Sequence, residues 1–227
     1  MMKINSYIKP RILPLLPYEI TMFLLDDSNH YTNHKDVWPD YEKALKAKII
    51  SQSRFLDDTV ALERQHSNWK IRLEVDYRTL DKHNPPFTRM RCRYKTLDNF
   101  VFRIYEEGWL GIIGKVLGAQ DLTIGNTKFD EKFIIKSNHH KIQDLLTNSS
   151  VKTSLLSISQ QVNFQFRIVD NSGIFMDGLP DGVHELYMEM DGIILNFKTI
   201  KTMFELFIEV MDLLEKLGTA VDEKIEF

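Results

Sequence analysis

The fold is decided by the stretch Trp69-Lys70-Ile71-Arg72-Leu73-Glu74-Val75-Asp76-Tyr77, in which apolar and charged residues alternate without interruption. The same alternation returns in Phe87-Thr88-Arg89-Met90-Arg91-Cys92-Arg93-Tyr94-Lys95. A period of two residues is typical of a β-strand with one buried side and one solvent-facing side. The sequence therefore predicts two strands, each with an apolar face and a charged face.

These two strands are expected to pair antiparallel, because the connection between them is short. Alignment of their charged faces is expected to bring Asp76 near Arg89 and Glu74 near Arg91. A third strand, predicted over residues 100–104, is expected to continue the pair as a meander with one wet face.

Later segments complete the prediction of an α+β protein. Further strands are predicted at residues 122–124, 129–137, 163–169, 173–176 and 184–190. Residues 199–217 predict a long helix with a wide apolar sector, and Gly218 is well placed to end it. The predicted fold class is therefore α+β, with one or two antiparallel sheets, helices packed on one face and a long apolar C-terminal helix.

The first 66 residues are expected to form an irregular arm followed by helices. Prolines punctuate the first 40 residues. One helix is predicted from Tyr41 to Ile49 and another over residues 53–65. Residues 67–227 are expected to form the α+β core, and residue 118 is interpreted either as the meeting point of two subdomains or as a crossing within one.

Composition limits the class of protein. The chain has 227 residues, of which 43% are hydrophobic and 27% charged, so a well-formed core is expected. The single cysteine excludes a disulfide within the chain, and the net charge of −3 gives no overall attraction to nucleic acid. Pro14, Pro17 and Glu19 interrupt the only N-terminal apolar run, so we expect no membrane span and predict a cytoplasmic location.

No familiar catalytic or cofactor motif is found. The glycine-rich stretch 108–115 lacks the glycine and hydroxyl residues that a P-loop needs. His30 and His34 are four residues apart, but the sequence between them is a poor helix former, which disfavours a metal site. Cys92 is expected to face the core as a structural thiol. We therefore assign no catalytic, cofactor-binding or metal-binding residue, and an enzyme is not expected.

Charge is distributed unevenly along the chain. Residues 69–107 carry nine Lys and Arg against six Asp and Glu, whereas residues 177–227 carry four against twelve. Arg103 is expected to lie beside Arg91 in the meander. The candidate anion-binding or partner-binding surface consists of the cations on this face: Lys70, Arg72, Arg91, Arg93, Lys95 and Arg103.

Two interpretations of this cationic surface stay open. Acidic residues of the same chain, such as Glu185 or Glu189, neutralise it, or an anionic partner does so. The aromatic residues of these strands are expected on the opposite face, which disfavours a nucleic-acid site that stacks bases.

One part of the chain resembles a known sequence pattern. Residues 124–138 read Ile-Gly-Asn-Thr-Lys-Phe-Asp-Glu-Lys-Phe-Ile-Ile-Lys-Ser-Asn and precede the pair Leu145-Leu146. Further on, Leu179-Pro180-Asp181-Gly182 precedes Leu186-Tyr187 and the terminal helix. Residues 121–218 thus resemble a family of uncharacterised bacterial proteins in which a Phe-Asp-x-x-Phe strand leads into Ser-Asn and a helix. The resemblance implies shared fold determinants and no activity, substrate or catalytic residue.

The leading functional interpretation is a non-catalytic protein-interaction or accessory protein of bacterial type, which binds another protein or a copy of itself. One alternative is a hydrolase or nucleotide-handling enzyme with a nonstandard site, which a pocket of converging polar groups would favour. The other is an anion-binding or nucleic-acid-binding module that uses the arginine-rich face, which a continuous positive groove would favour. No cofactor is expected in the leading interpretation.

Overall fold

The polypeptide forms one antiparallel sheet with helices against one of its faces. The computed structural model describes residues 33–54, 57–77, 86–106, 120–170 and 179–225. Within these ranges ten strands lie in a single sheet, and every ladder between two of them is antiparallel. The α+β class predicted from the sequence is confirmed.

The order of the strands in space differs from their order in the chain. Their bounds are β1 Lys48–Arg54, β2 Asp57–His66, β3 Trp69–Tyr77, β4 Pro86–Thr96, β5 Phe102–Glu106, β6 Gln120–Leu122, β7 Phe133–Ser137, β8 Phe164–Val169, β9 Val183–Asp191 and β10 Ala220–Val221. Across the sheet they run β1-β2-β3-β4-β9-β8-β5-β7-β6, and β10 pairs with the end of β4. Strands from both sides of residue 118 therefore share one sheet.

The helices include the long C-terminal helix that the sequence predicts. Their bounds are α1 His34–Val37, a 3₁₀ turn at Trp38–Tyr41, α2 Glu42–Leu45, α3 Thr127–Asp130, α4 Lys141–Thr147, α5 Ser149–Ser159 and α6 Phe197–Lys216. Helix α6 ends where Gly218 adopts a φ of 67°, a left-handed conformation that glycine accepts without strain. None of the helices described is long and apolar enough to cross a bilayer.

The main core lies between the helices and one face of the sheet. Helix α6 supplies eight fully or nearly fully buried apolar side chains: Ile200, Met203, Phe204, Leu206, Phe207, Val210, Met211 and Leu214. Phe207 packs against Phe166 of β8, with ring centroids 5.7 Å apart. The buried apolar residues of the shorter helices join this same cluster. None of the residues described on the opposite face of the sheet belongs to this cluster, so the two faces differ in character.

The antiparallel pairing that the sequence predicts for β3 and β4 is confirmed. Strands β3 and β4 are antiparallel and keep their charged residues on one face. Glu74 lies directly opposite Arg89 and Arg72 opposite Arg91. The expected contacts of Asp76 with Arg89 and of Glu74 with Arg91 are present as diagonal ion pairs, at 2.9 and 2.8 Å.

The predicted position of the third strand is wrong. Strand β5 does not pair with β4. Instead, β9 lies beside β4, and β8 separates β9 from β5. Pairing of β5 with β4 would have set Arg103, a further cation, beside Arg91. Strand β9 places Glu185 opposite Arg93 and Glu189 opposite Arg89.

The helix predicted over residues 53–65 is also wrong, because residues 48–54 and 57–66 form β1 and β2, which pair antiparallel. Strand β2 continues into β3 through Ser67 and Asn68, and Ser67 has a φ of 49°. A two-residue connection of this kind favours a hairpin. Leu62 then lies opposite Leu73, so cross-strand packing overrides the helical spacing of the segment.

Some features interpreted from the sequence lie outside the residues that the structure describes. They are the glycine-rich stretch at 108–118, the strand predicted at 173–176, and His30 of the histidine pair.

The burial of Cys92 gives a test of the core. The thiol is fully buried on the face of β4 that packs against the helices, and burial raises its pKa. We expect Cys92→Ser to lower the free energy of unfolding by about 1–3 kcal/mol, because a buried hydroxyl lacks a good partner there. Chemical denaturation measures this loss.

Cys92→Ala is the matched control, since it removes the sulfur without adding a polar group. Native Cys92 should also resist a thiol reagent that modifies it readily in denaturant. A serine variant as stable as the alanine variant, or rapid modification of the native protein, would contradict the burial.

Candidate functional site: the polar face of the sheet

The face of the sheet that points away from the helices is covered with charged and polar side chains. We call it the polar face, and the strand registers place these residues on it: Glu63, Lys70, Arg72, Glu74, Asp76, Arg89, Arg91, Arg93, Lys95, Arg103, Tyr105, Lys136, Gln165, Arg167, Glu185, Tyr187 and Glu189. None of them belongs to the main core. They are the outward members of the two-residue alternation in seven strands.

Glu74 is the centre of the ion pairs on this face. Its carboxylate accepts two hydrogen bonds from Arg89, at 2.9 and 2.8 Å, and one from Arg91 at 2.8 Å. Arg72 adds a contact at 3.8 Å. The side chain is only 5% exposed, and such burial alone would raise its pKa. The charges of Arg89 and Arg91 outweigh that effect and hold the pKa below its ordinary value.

A second carboxylate, that of Glu185, contacts arginines of the neighbouring strand β4. It accepts a hydrogen bond of 3.1 Å from Arg93 Nε and lies 3.8 Å from Arg91 Nη1. Glu185 comes from β9 and is almost completely buried. The C-terminal third of the chain therefore neutralises part of the arginine face, which was one of the two interpretations of the sequence. It does so through β9, a strand of the same sheet.

Carboxylates of the same chain pair with several of the predicted surface cations. Arg72 donates two hydrogen bonds to Glu63, at 3.1 and 2.6 Å, and Lys95 pairs with Glu223 at 2.9 Å. Arg91 and Arg93 have the partners given above. Lys70 lies half-buried on β3 among the same strands.

Arg103 is the predicted cation that the structure places elsewhere. It lies on β5, directly opposite Arg167 of β8 on one side and Lys136 of β7 on the other. Burial, together with the charge of Arg167, lowers the pKa of Arg103 to about 10. Sequence reasoning missed Arg167 and Lys136. Both stand in alternating strand segments, but their proximity to Arg103 follows only from the strand order.

Two tyrosines on the polar face correct the expectation that aromatic residues lie on the other side. Tyr187 stands between Arg91 and Arg167 in the strand registers, and the Arg167 guanidinium carbon is 5.0 Å from its ring centroid. The Tyr187 hydroxyl donates a hydrogen bond of 2.8 Å to Glu189. Tyr105 lies beside Gln165. Both rings are largely buried, so little aromatic surface is left for a nucleic-acid base to stack on.

His34, the described member of the histidine pair, is buried beside the ring of Trp38, with centroids 4.8 Å apart. Burial and then the charge of Lys35 lower its pKa to about 4, so the ring is neutral at physiological pH. In the ranges that the structure describes, no three His, Cys, Asp or Glu side chains are grouped to hold a metal ion.

Two clefts lie on the helical side of the described part of the molecule. One, of about 280 Å³, is lined by residues of α5 and the start of α6, including Ser157, Gln161 and Thr199. Its lining supplies hydroxyls, amides and one lysine, but neither a carboxylate nor an imidazole. This is a poor set of groups for acid–base catalysis.

Comparisons of the chain with protein-family models, with curated proteins and with solved structures find no match. The interpretation of the polar face therefore depends on its own geometry.

The position of Glu74 among three arginines leads to a stability test. We expect Glu74→Gln to lower the free energy of unfolding by about 3–5 kcal/mol, because it removes a buried charge that several guanidinium groups share. Glu63→Gln is the matched control and should cost only about 1 kcal/mol, since Arg72 keeps its contact with Glu74. Urea denaturation of the two variants measures the difference.

The effect of Glu74→Gln should also depend on pH. The folded pKa of Glu74 lies below its ordinary value of 4.5, so its contribution is complete above that value. The contribution is lost as the pH falls through the lower, folded pKa. The gap between wild type and Glu74→Gln should therefore stay constant above about pH 4.5 and shrink as the pH falls below that value. A gap that does not shrink on acidification below that value would show that the carboxylate charge is not what stabilises the sheet.

Proposed function

We propose that the protein is a non-catalytic binding protein that recognises another protein through the polar face. The observation that supports this is the network of ion-paired side chains that β2, β3, β4 and β9 place on the face opposite to the helices. A layer whose only role is to fill the interior would not require so many charged residues. A face that is only solvated would not require its charged residues to be held in ion pairs. A surface that is both charged and ordered fits recognition better than either.

The kind of cation on this face supports the same function. On this face, strands β3, β4, β5 and β8 carry only a few lysines but six arginines: Arg72, Arg89, Arg91, Arg93, Arg103 and Arg167. Arginine is enriched in protein interfaces because its planar guanidinium forms several directed hydrogen bonds. Carboxylates such as Glu74 and Glu185 already hold several of these groups in place. A partner would therefore bind without the full entropy cost of ordering long side chains.

The two other functions fit the face less well. Nucleic acid would have to approach carboxylates interspersed among the arginines, which repel its phosphates. A hydrolase would need a nucleophile and a base that converge in one cleft, and the cleft between α5 and α6 has hydroxyls but neither a carboxylate nor an imidazole to activate them. We place the protein in a reducing cytoplasm, an environment that suits its single buried thiol.

A photo-crosslinking experiment tests the proposed function. A photoreactive amino acid replaces Lys48 or Lys95, which are exposed at the rim of the polar face, in the cells that make the protein. The same amino acid at Lys201 or Lys216, on the exposed side of α6, is the control. We expect a discrete adduct with one protein from the rim positions and none from α6.

The captured partner then allows an affinity measurement with matched variants. The pair Lys48→Glu and Lys95→Glu should weaken binding by about tenfold or more, whereas Lys201→Glu with Lys216→Glu should leave it within about twofold. Circular dichroism and thermal melting check that both variants fold. The absence of a rim adduct, or adducts from α6 alone, would contradict the proposal.

A further inference from the structure

The polar face carries a small apolar patch at the end where β9 begins. Val183 of β9 lies directly opposite Lys95 of β4. Val169 of β8 lies opposite Glu185 of β9. Because residues directly opposite each other share one face of a sheet, both valines belong to the polar face. They are members of a cluster separate from the main core, which we call the apolar patch: Val169, Leu179, Val183 and Tyr187.

A short segment of the same chain covers this patch. Residues 222–225 follow β10, and we call them the strap. The partly buried side chain of Ile225 packs against the apolar patch, whose residues are each only 6–7% exposed. Glu223 pairs with Lys95 at 2.9 Å. The strap therefore matches both the apolar and the cationic character of the surface beneath it.

The strap is tied firmly at its start and more weakly further on. The backbone N–H of Asn68 donates a hydrogen bond of 2.8 Å to the Asp222 carboxylate, and the Asn68 amide donates one of 3.2 Å to the Asp222 carbonyl. The ion pair of Glu223 with Lys95 is about half exposed on both sides, and such pairs stabilise a fold only slightly. Ile225 is only partly buried. Segments with little buried surface open locally at a low free-energy cost, so the end of the strap can detach while β10 stays paired.

We propose that the apolar patch and Lys95 form the docking site for the partner protein, and that the strap occupies this site until the partner displaces it. The strap shows which chemistry the site accepts. It is an extended segment with a carboxylate, that of Glu223, two residues before the branched aliphatic side chain of Ile225. A partner segment with this pattern would bury the same patch and pair with the same lysine.

Covalent attachment makes the strap an effective competitor of the partner. A tethered segment acts at a high effective concentration, so the partner's apparent affinity falls in proportion to the fraction of molecules whose site is open. Loosening the strap should therefore strengthen binding. The inference deepens the proposed function and rests on it, because it concerns the protein partner of the polar face.

A peptide with the sequence of residues 219–225, Thr-Ala-Val-Asp-Glu-Lys-Ile, is the probe that tests this inference. It is titrated into the whole isotopically labelled chain, and binding is followed by NMR at the backbone amides of Val169 and Val183. Ile225→Ser should bind the peptide about tenfold or more tightly than the wild type, because its strap no longer competes. Ile208→Ser makes the same change on α6, where Ile208 is also partly buried, and should behave as the wild type.

A second variant and a changed peptide make the test specific. Glu223→Ser removes the ion pair with Lys95 and should also strengthen peptide binding, by less than Ile225→Ser does. A peptide in which serine replaces the final isoleucine should not bind. Equal binding by the wild type and Ile225→Ser, or no shift of the patch amides up to about 5 mM peptide, a range that covers weak sites, would overturn the inference.

Light scattering separates a different protein from a second copy of this chain. We expect the wild type and Ile225→Ser to have the same mass in solution. A wild-type dimer that Ile225→Ser abolishes would mean that the strap of a second copy fills the patch, and would overturn the assignment to a different protein. Partner adducts at Lys48 that persist when the peptide fails to bind would overturn this inference and leave the proposed function standing.

Discussion

Strand β4 carries a row of cations on one face, and it is stable in a sheet only between strands that bring carboxylates to that face. Strand β3 brings Glu74 and Asp76 on one side, and β9 brings Glu185 and Glu189 on the other. Because these pairs are poorly exposed, a mismatched neighbour would leave an uncompensated charge at a cost of several kcal/mol, about 3–5 when one partner of a buried pair is lost. The position of β9 between β4 and β8 satisfies this constraint for the cations of β4.

The same constraint separates the two faces of the sheet. Once the charged residues are paired on one side, the alternation sends Ile71, Leu73, Met90 and Cys92 to the other, where helix α6 covers them. The helical side is thus a conventional packed core. The polar face is an ordered array of guanidinium and carboxylate groups. Fold and proposed function therefore depend on the same set of side chains.

Patterns confined to a single segment were readable from the sequence. The clean alternation of β3 and β4 predicted both strands and their pairing, and the apolar spacing before Gly218 predicted α6. Features that depend on distant segments were not readable. Residues 53–65 were assigned to a helix because nothing local shows that Leu62 packs across from Leu73. The proximity of Arg167 to Arg103 could not be predicted, because it follows from the position of β8 in the sheet. No single segment of the sequence encodes that position.

The most direct test of the electrostatic constraint is a double-mutant cycle between Arg93 and Glu185, with the charges exchanged. The free energy of unfolding is measured by urea denaturation for Arg93→Glu, Glu185→Arg and the double variant. Each single exchange should destabilise the protein strongly, and the double exchange should recover about 1–3 kcal/mol relative to the sum of the two. Strictly additive losses would show that the charges on β4 and β9 do not interact. That result would contradict the claim that charge pairing stabilises β9 beside β4.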